Sequence, residues 1–264
     1  MVEVREHGCQ ATGVLEPEAY GDAIADVYDD WYADVSDVEG TVATVAALAG
    51  GGPVLELGIG TGRLALPLRA DGVAVHGVDA SAAMVERLRA KPGGEAIPVL
   101  VGDFSAQLPE GPFAVVLAAF NTLLNLTAPG ALERCLALVH ERLAPGGALV
   151  VEAFVPADET ASSGVEVRHV HPEEVVLSVF RRDPTSDAVT GSFVSLSPAG
   201  GVRLRPWAIR AVGPEALDGL AARAGFTRER RDGGWRGEPF DDAADRHVTV
   251  YRRDGGTVTA VIRR

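Results

Sequence analysis

The chain is poor in cysteine, in basic charge and in long apolar runs, and each shortage removes a class of protein. Two cysteines, Cys9 and Cys135, cannot build a disulfide framework. Cys9 stands in a polar leading segment and Cys135 in a helical apolar pattern, so both read as free thiols of a reducing, cytoplasmic setting. Lys and Arg number 24 against 37 Asp and Glu, a net charge of −13. Phosphate backbones need clustered cations, so nucleic acid is excluded as a partner. Arg203, Arg205, Arg228, Arg230 and Arg231 do cluster, but acidic neighbours make them read as solvated strand faces rather than an anion site. Gly50 to Pro53 and then Glu56 interrupt the longest apolar stretch, which excludes a membrane span. The polar first ten residues are not those of a secretory signal. What is abundant is ordinary core material: 47% of the 264 residues are hydrophobic, enough for one large domain or a domain with an insertion.

Residues 52–154 alternate short apolar runs with helical patterns. Strands are expected at 53–57, 73–78, 97–101, 113–119 and 147–154, with helices at 62–70, 81–90 and 129–143. That alternation implies a parallel sheet with helices on both faces. The first fifty residues read as helices at 22–35 and 38–48, stopped by Gly50, Gly51 and Gly52. From 165 to 211 the pattern becomes alternating strands between turn signals, an antiparallel insertion. A helix opens near Pro214 and ends before Gly225, and strands return at 226–231 and 247–253. Residues 257–262 read as an edge strand or as disorder. The chain thus divides into a helical lid (1–50), a nucleotide-type core (51–155), a β insertion (156–211) and a closing unit (212–264).

The core opens on Val54-Leu55-Glu56-Leu57-Gly58-Ile59-Gly60-Thr61-Gly62-Arg63, a buried strand followed by a glycine turn and a helix start. Gly58, Gly60 and Gly62 remove side chains where the backbone must turn and approach a ligand. A dinucleotide site wants Gly-x-Gly-x-x-Gly/Ala. Here the third glycine comes one residue early, and Arg63 occupies the place of the small residue. Some twenty residues on, Asp79 ends the second strand, where a carboxylate accepts both ribose hydroxyls or caps the next helix; Ser81 is also available as that cap. Ala80 follows it on the same turn, and Met84, one helical turn later, packs on a ring or in the core. Ala119, Phe120 and Asn121 lie beyond the fourth strand, at the carboxyl ends where open sheets bind ligands. Asn121 binds there or terminates the strand.

Glu56 before the glycines and Arg63 after them make this pattern resemble the first motif of class I S-adenosylmethionine (SAM) methyltransferases. The following segments resemble that family in order and spacing across residues 54–154, including Gly102-Asp103-Phe104 and Leu143-Ala144-Pro145-Gly146-Gly147. The resemblance implies a Rossmann-like α/β fold with a seven-stranded sheet. It implies that Glu56 lies near the methionine end of SAM and Arg63 near its carboxylate. It implies that Asp103 accepts from the adenine amino group, and that Phe104 packs on the ring. N-terminal helices in this superfamily often cover the cofactor. Tyr20, Tyr28, Trp31 and Tyr32 then form an aromatic lid beside a sulfonium, or simply a core; Tyr28 is the lid residue nearest to catalysis.

Similar cores with Tyr-rich lids occur among bacterial natural-product enzymes, which implies in-line transfer to an amine nitrogen or indole carbon of a small molecule. The motif after the fourth strand lacks the two prolines of enzymes that methylate DNA bases or protein glutamine. It also lacks the acidic set of metal-dependent catechol-type enzymes. His169 and His171 would need a further ligand to hold a metal, so none is expected. Glu152, near the end of the fifth strand, is the candidate base if it faces the cleft; otherwise it is a salt-bridged strand end. Trp31, Asn125, His169 and Trp207 are the candidate acceptor contacts, with His171, Phe180 and Trp235 weaker. A non-catalytic SAM-binding subunit is the competing reading, and a nicotinamide oxidoreductase a more distant one. Either a monomer or a homodimer suits the sequence.

Overall fold

The computed structural model describes residues 15–33, 35–156 and 162–254. Cys9 and the 257–262 segment lie outside the described residues. Five parallel strands carry the core: β1 (Val54–Leu57), β2 (Val75–Asp79), β3 (Val99–Val101), β4 (Phe113–Ala118) and β5 (Leu143–Phe154). After four antiparallel strands of a separate sheet come β10 (Phe226–Asp232) and β11 (Arg246–Arg253). These two complete a seven-stranded sheet of order β10-β11-β5-β4-β1-β2-β3, in which β11 runs antiparallel to β5 and β10. β5 starts four residues before its expected place, and a register shift between Phe113 and Val115 absorbs the Pro145-Gly146 turn.

The sheet is covered on both faces. Leu55 and Leu57 point to one apolar cluster with Leu132 and Leu136 of α6 (Ala131–Arg142) and Leu217 of α7 (Pro214–Arg223). Val54 points to the other, with Val45 of α3 (Val38–Ala49) and Leu68 of α4 (Ala65–Ala70). All four residues of β1 are therefore buried, and no period-2 alternation survives. Asp37 caps α3 by accepting from Gly40, and Gly50 ends it in the left-handed region, the stop read from the sequence. α4 begins three residues later than expected because the glycine turn consumes residues 58–64. α5 (Ala82–Arg89) follows β2.

The insertion is a four-stranded antiparallel meander: β6 (Ser163–His171), β7 (Glu174–Arg182), β8 (Ala188–Ser197) and β9 (Gly201–Arg210). The expected helix over 22–35 is instead two short ones, α1 (Ala19–Ile24) and α2 (Tyr28–Trp31). Val27 leaves helical geometry at φ −121° and ψ −4°, and the turn lets Asp26 reach across to β9. Cys135 is fully buried, and burial pushes its thiol pKa up, as befits an inert thiol. Among the described residues no helix is long and apolar enough to cross a membrane.

Candidate active site

A cavity of about 510 Å³ opens over the carboxyl ends of β1, β2 and β4, between the core sheet and the insertion. Its floor is the glycine turn. Glu56 shares the face of Val54, is 5% exposed, and has one oxygen, Oε2, with no hydrogen-bond partner among the described residues. Burial pushes its pKa up to about 8, with Arg63 opposing and Asp79 reinforcing the shift. Asp79 Oδ2 accepts from the Gly60 N–H at 2.7 Å, and Oδ1 accepts from the Ser81 N–H at 2.8 Å. Burial still raises its pKa. Asp79 therefore fixes the turn to the end of β2. The cap of α5 is Ser81, whose Oγ accepts from the Met84 N–H at 3.1 Å.

The three glycines divide in role. Gly58 and Gly60 line the cavity. A Cβ on Gly60 would have only the Gly58 carbonyl near it, at 3.8 Å. Gly62 does not line the cavity, which corrects its expected cofactor contact. Its φ is +81°, and a Cβ there would meet Leu88 Cδ1 at 2.2 Å, so it is a packing glycine between α4 and α5. Arg63 lines the cavity, lies over the Phe120 ring at 5.1 Å, and donates to Ser36 and to Tyr28. Ala80, Met84 and Phe104 line the far side of the floor. Asp103 is not among the lining residues; its carboxylate accepts from the Ser105 N–H at 2.7 Å and hydroxyl at 2.9 Å and closes its own turn.

Beyond β4, Ala119, Phe120 and Asn121 line the cavity, with Phe120 and Asn121 both in the left-handed region at φ 49° and 66°. β5 holds this bend. The Phe120 N–H donates to Glu152 Oε2 at 2.8 Å, the Asn121 N–H to the Glu152 carbonyl at 3.0 Å, and the Phe154 N–H to Asn121 Oδ1 at 2.7 Å. Glu152 is buried behind the bend and is not among the lining residues, so the expectation that it faces the cleft fails. It acts as a positioning residue for Phe120.

The lid supplies Tyr20, Tyr28 and Tyr32 to the cavity wall. The Tyr28 and Tyr32 rings lie 4.8 Å apart, Tyr32 meets Phe120 edge-on at 5.3 Å, and the Tyr20 and Tyr32 hydroxyls are 3.4 Å apart. Burial raises the pKa of Tyr20 and Tyr28, which keeps both neutral. Three aspartates tie the lid down. Asp22 accepts from Ser81 at 2.6 Å and Asp29 from Thr61 at 2.6 Å, with Lys91 as its ion pair at 2.8 Å. Asp26 accepts from Arg205 at 2.5 and 3.0 Å and from Arg203 at 2.7 Å. Arg205 is buried, and Arg231 pairs with Asp218 at 2.6 Å, so neither belongs to a solvated strand face.

The roof is the inward face of the insertion. Trp207, Phe180 and Ser178 line it, and Asn125 lines the wall below. The buried Trp207 Nε1 has no hydrogen-bond partner among the described residues. Four expected acceptor contacts are displaced. Trp31 packs edge-on to Phe193 at 5.7 Å beneath Arg205 and faces a second, smaller depression shared with His169. His171 is exposed and stacks on His169 at 6.2 Å. Trp235 is a core residue against α3. No group of three metal-ligating side chains exists among the described residues. Sequence reasoning missed Thr122, Phe154, Glu166, Arg168 and Phe193, all in the lining. The alternation Glu166-Arg168 and Ser178-Phe180-Arg182 was a usable signal, since every second residue of a strand faces one side.

Comparison with known proteins agrees with this geometry. A family model described as a methyltransferase domain matches residues 54–147, from β1 to the glycines before the body of β5. The CcbJ methyltransferase from Streptomyces caelestis superposes with a TM-score of 0.84 at 37% identity, covering 91% of this chain and all of that one. A demethylmenaquinone methyltransferase of Thermus thermophilus is 33% identical over 180 residues, 66% of this chain and 74% of its own length. The SAM-bound amino pentose methyltransferase CalS10 from Micromonospora echinaspora shares the fold, with a TM-score of 0.64 at 20% identity over 90% of this chain and 98% of that one. With its β1 glycine turn, its strand order and these relatives, the chain belongs to the class I SAM-dependent methyltransferases.

Proposed function

We propose that the chain methylates a small-molecule acceptor, a secondary metabolite, on an amine nitrogen. The observation that carries this reading is one continuous cavity with two chemistries: a charged floor of Glu56, Arg63 and Asp79, and an aromatic roof of Phe180 and Trp207. Its volume suits a site for small ligands. The floor fits the cofactor. The unpartnered Glu56 Oε2 would accept from the ammonium group of the methionine end, and Arg63 would donate to its carboxylate. Asp79 has lone pairs left for ribose hydroxyls after its two backbone bonds, and Met84 and Phe104 offer apolar surface to a base. Asp103 lies outside the lining with both oxygens turned to Ser105, so Phe104 and Met84 would carry the contact with the base. When bound, SAM supplies an electrophilic methyl group open to in-line displacement.

The protein's own task is alignment and exclusion of water, which can supply on the order of 7–11 kcal/mol of a barrier. Tyr28 and Tyr32 would offer ring faces to a sulfonium. Asn125 and Trp207 Nε1 would hold polar atoms of the acceptor. Nitrogen suits the site better than indole carbon. A neutral amine attacks unaided, whereas an indole carbon must then lose its ring proton to a base, and Glu152 is spent on Phe120. In this reading the lid and the insertion enclose a cofactor held by the core. Titration calorimetry should show binding of SAM and S-adenosylhomocysteine but not NAD. Mass spectrometry of amine and indole panels incubated with methyl-labelled SAM should then find label on amines. Binding of NAD without SAM would sink the reading, and label confined to indoles would overturn the choice of atom.

A further inference from the structure

The cavity roof carries a pattern that the methyl-transfer reading does not use. Phe180 on β7 pairs with Gly164 of β6 on one side and with Gly191 of β8 on the other, and Gly191 pairs in turn with Trp207 of β9. Directly opposed residues share a face. One row across the insertion therefore reads Gly164, Phe180, Gly191, Trp207, with both rings in the cavity lining. Neither glycine has a positive φ, so the backbone does not call for them. Space does. A Cβ on Gly164 would meet Phe180 Cζ at 2.6 Å and Cε1 at 2.7 Å, and one on Gly191 would meet Trp207 Cε2 at 2.6 Å. Strand side chains ordinarily stand perpendicular to their sheet. These two lean onto the neighbouring strand instead, each in the room that a glycine leaves. Their height is taken out of the chamber, and half-buried ring surface stays open to it.

We propose that Gly164 and Gly191 determine acceptor specificity, and that the acceptor is a ring-bearing amine whose ring lies on the shelf of Phe180 and Trp207. The inference rests on the methyl-transfer reading, since it says which small molecules the chamber admits. A ring gains from contact with other rings beyond the area it buries. It also arrives pre-organised, whereas an open chain must be ordered on binding. Charges flank the shelf and orient such an acceptor. Arg182, whose guanidinium stands 5.9 Å from the Phe180 centroid, lies one row to one side, and Glu166, paired with Ser178, one row to the other. Both line the cavity, so an ammonium end is turned away from Arg182 and toward Glu166. A ring laid over a glycine can also steady a strand. That role alone would leave the choice of acceptor untouched, and the two roles separate in experiment.

Benzylamine, cyclohexylmethylamine and heptylamine are primary amines with the same number of carbons. Their binding to the full chain saturated with S-adenosylhomocysteine, read by saturation-transfer NMR, needs no turnover. A ring contact is worth roughly two- to tenfold in affinity, so benzylamine should bind about fivefold tighter than heptylamine. Cyclohexylmethylamine then tells saturated from aromatic rings, and either answer supports the shelf. Gly164→Ala is the decisive variant, because its Cβ meets only the Phe180 ring, whereas one on Gly191 would also meet the Val179 carbonyl oxygen at 2.5 Å. It should lift Phe180 into the chamber, lower benzylamine affinity about fivefold and leave SAM affinity unchanged. Made on top of Phe180→Ala, it should have no further effect. Heptylamine binding as tightly as benzylamine overturns the proposal. So does a Gly164→Ala protein that keeps the ring preference, or one that loses SAM and benzylamine together, which would make the glycine a device of the strand alone. A ring preference without transfer of label to any amine would leave the shelf standing and remove the reaction proposed above.

Discussion

Glu56, one residue before the end of β1, has its pKa lifted to about 8 by burial, against 4.5 for the ordinary side chain. The folded protein holds this proton more tightly than the unfolded chain. Stability from it is therefore fully present below about 4.5 and is lost as pH rises through about 8. Binding has the opposite slope, because an ammonium partner needs the carboxylate. SAM affinity should tighten as pH rises toward about 8, by at most about tenfold per unit. Calorimetry across that range checks it, and Glu56→Gln should bind weakly and without the slope. A wild-type affinity flat in pH would refute the pairing. The glycines give a second contrast. Gly62→Ala forces a Cβ onto Leu88 and should cost about 1–3 kcal/mol of stability in urea unfolding. Gly60→Ala meets no side chain, so its stability cost is limited to left-handed strain of about 1–2 kcal/mol at φ +56°, and it should lose SAM binding, which Gly62→Ala should keep. Asp79, Gly58 and Gly60 were legible in the sequence because their spacing is local to one βα unit. The side of Glu152 was not, since a strand buried on both faces carries no alternation to show where a side chain points.

At the scale of elements, the lid is fastened to two different bodies. Asp22 and Asp29 join it to the core, and Asp26 joins it to the insertion through Arg205 and Arg203. Asp26→Asn leaves the guanidinium of Arg205, only 4% exposed, without its counter-charge. The cost should be about 1–3 kcal/mol, below that of a fully buried pair because Asp26 keeps over a third of its side chain in water. Amide hydrogen exchange should speed up over residues 19–31 while β1, β4 and β5 stay protected, and SAM should dissociate faster. Unchanged exchange in the lid would show that the tie does not hold it. None of this was visible in the sequence. Asp26 and Arg205 lie 179 residues apart, and the helix break at Val27 has neither glycine nor proline to announce it. The insertion itself was legible as strands, because apolar and polar residues alternate along it, as in Val165-Glu166-Val167-Arg168, even though β6 is exposed over nearly its whole length.

At the scale of the whole molecule, a net charge of −13 makes neighbouring copies repel. Added salt shortens the Debye length from about 10 Å at 0.1 M to about 3 Å at 1 M. Light scattering should therefore show the repulsion between copies fade as salt is raised, and a response flat in salt would overturn this. The seven-stranded core was foreseeable from alternating strands and helices. The placement of the roof over the floor was not, because it rests on pairs of residues far apart in sequence.

The roof has its own hydrogen-bond ladder, separate from the sheet that carries the floor. Inward positions such as Ser178, Phe180 and Trp207 can therefore change without disturbing Glu56 or Asp79. New acceptors become reachable by single substitutions on a platform that keeps its methyl donor, so selectivity in such a molecule can diverge faster than its chemistry.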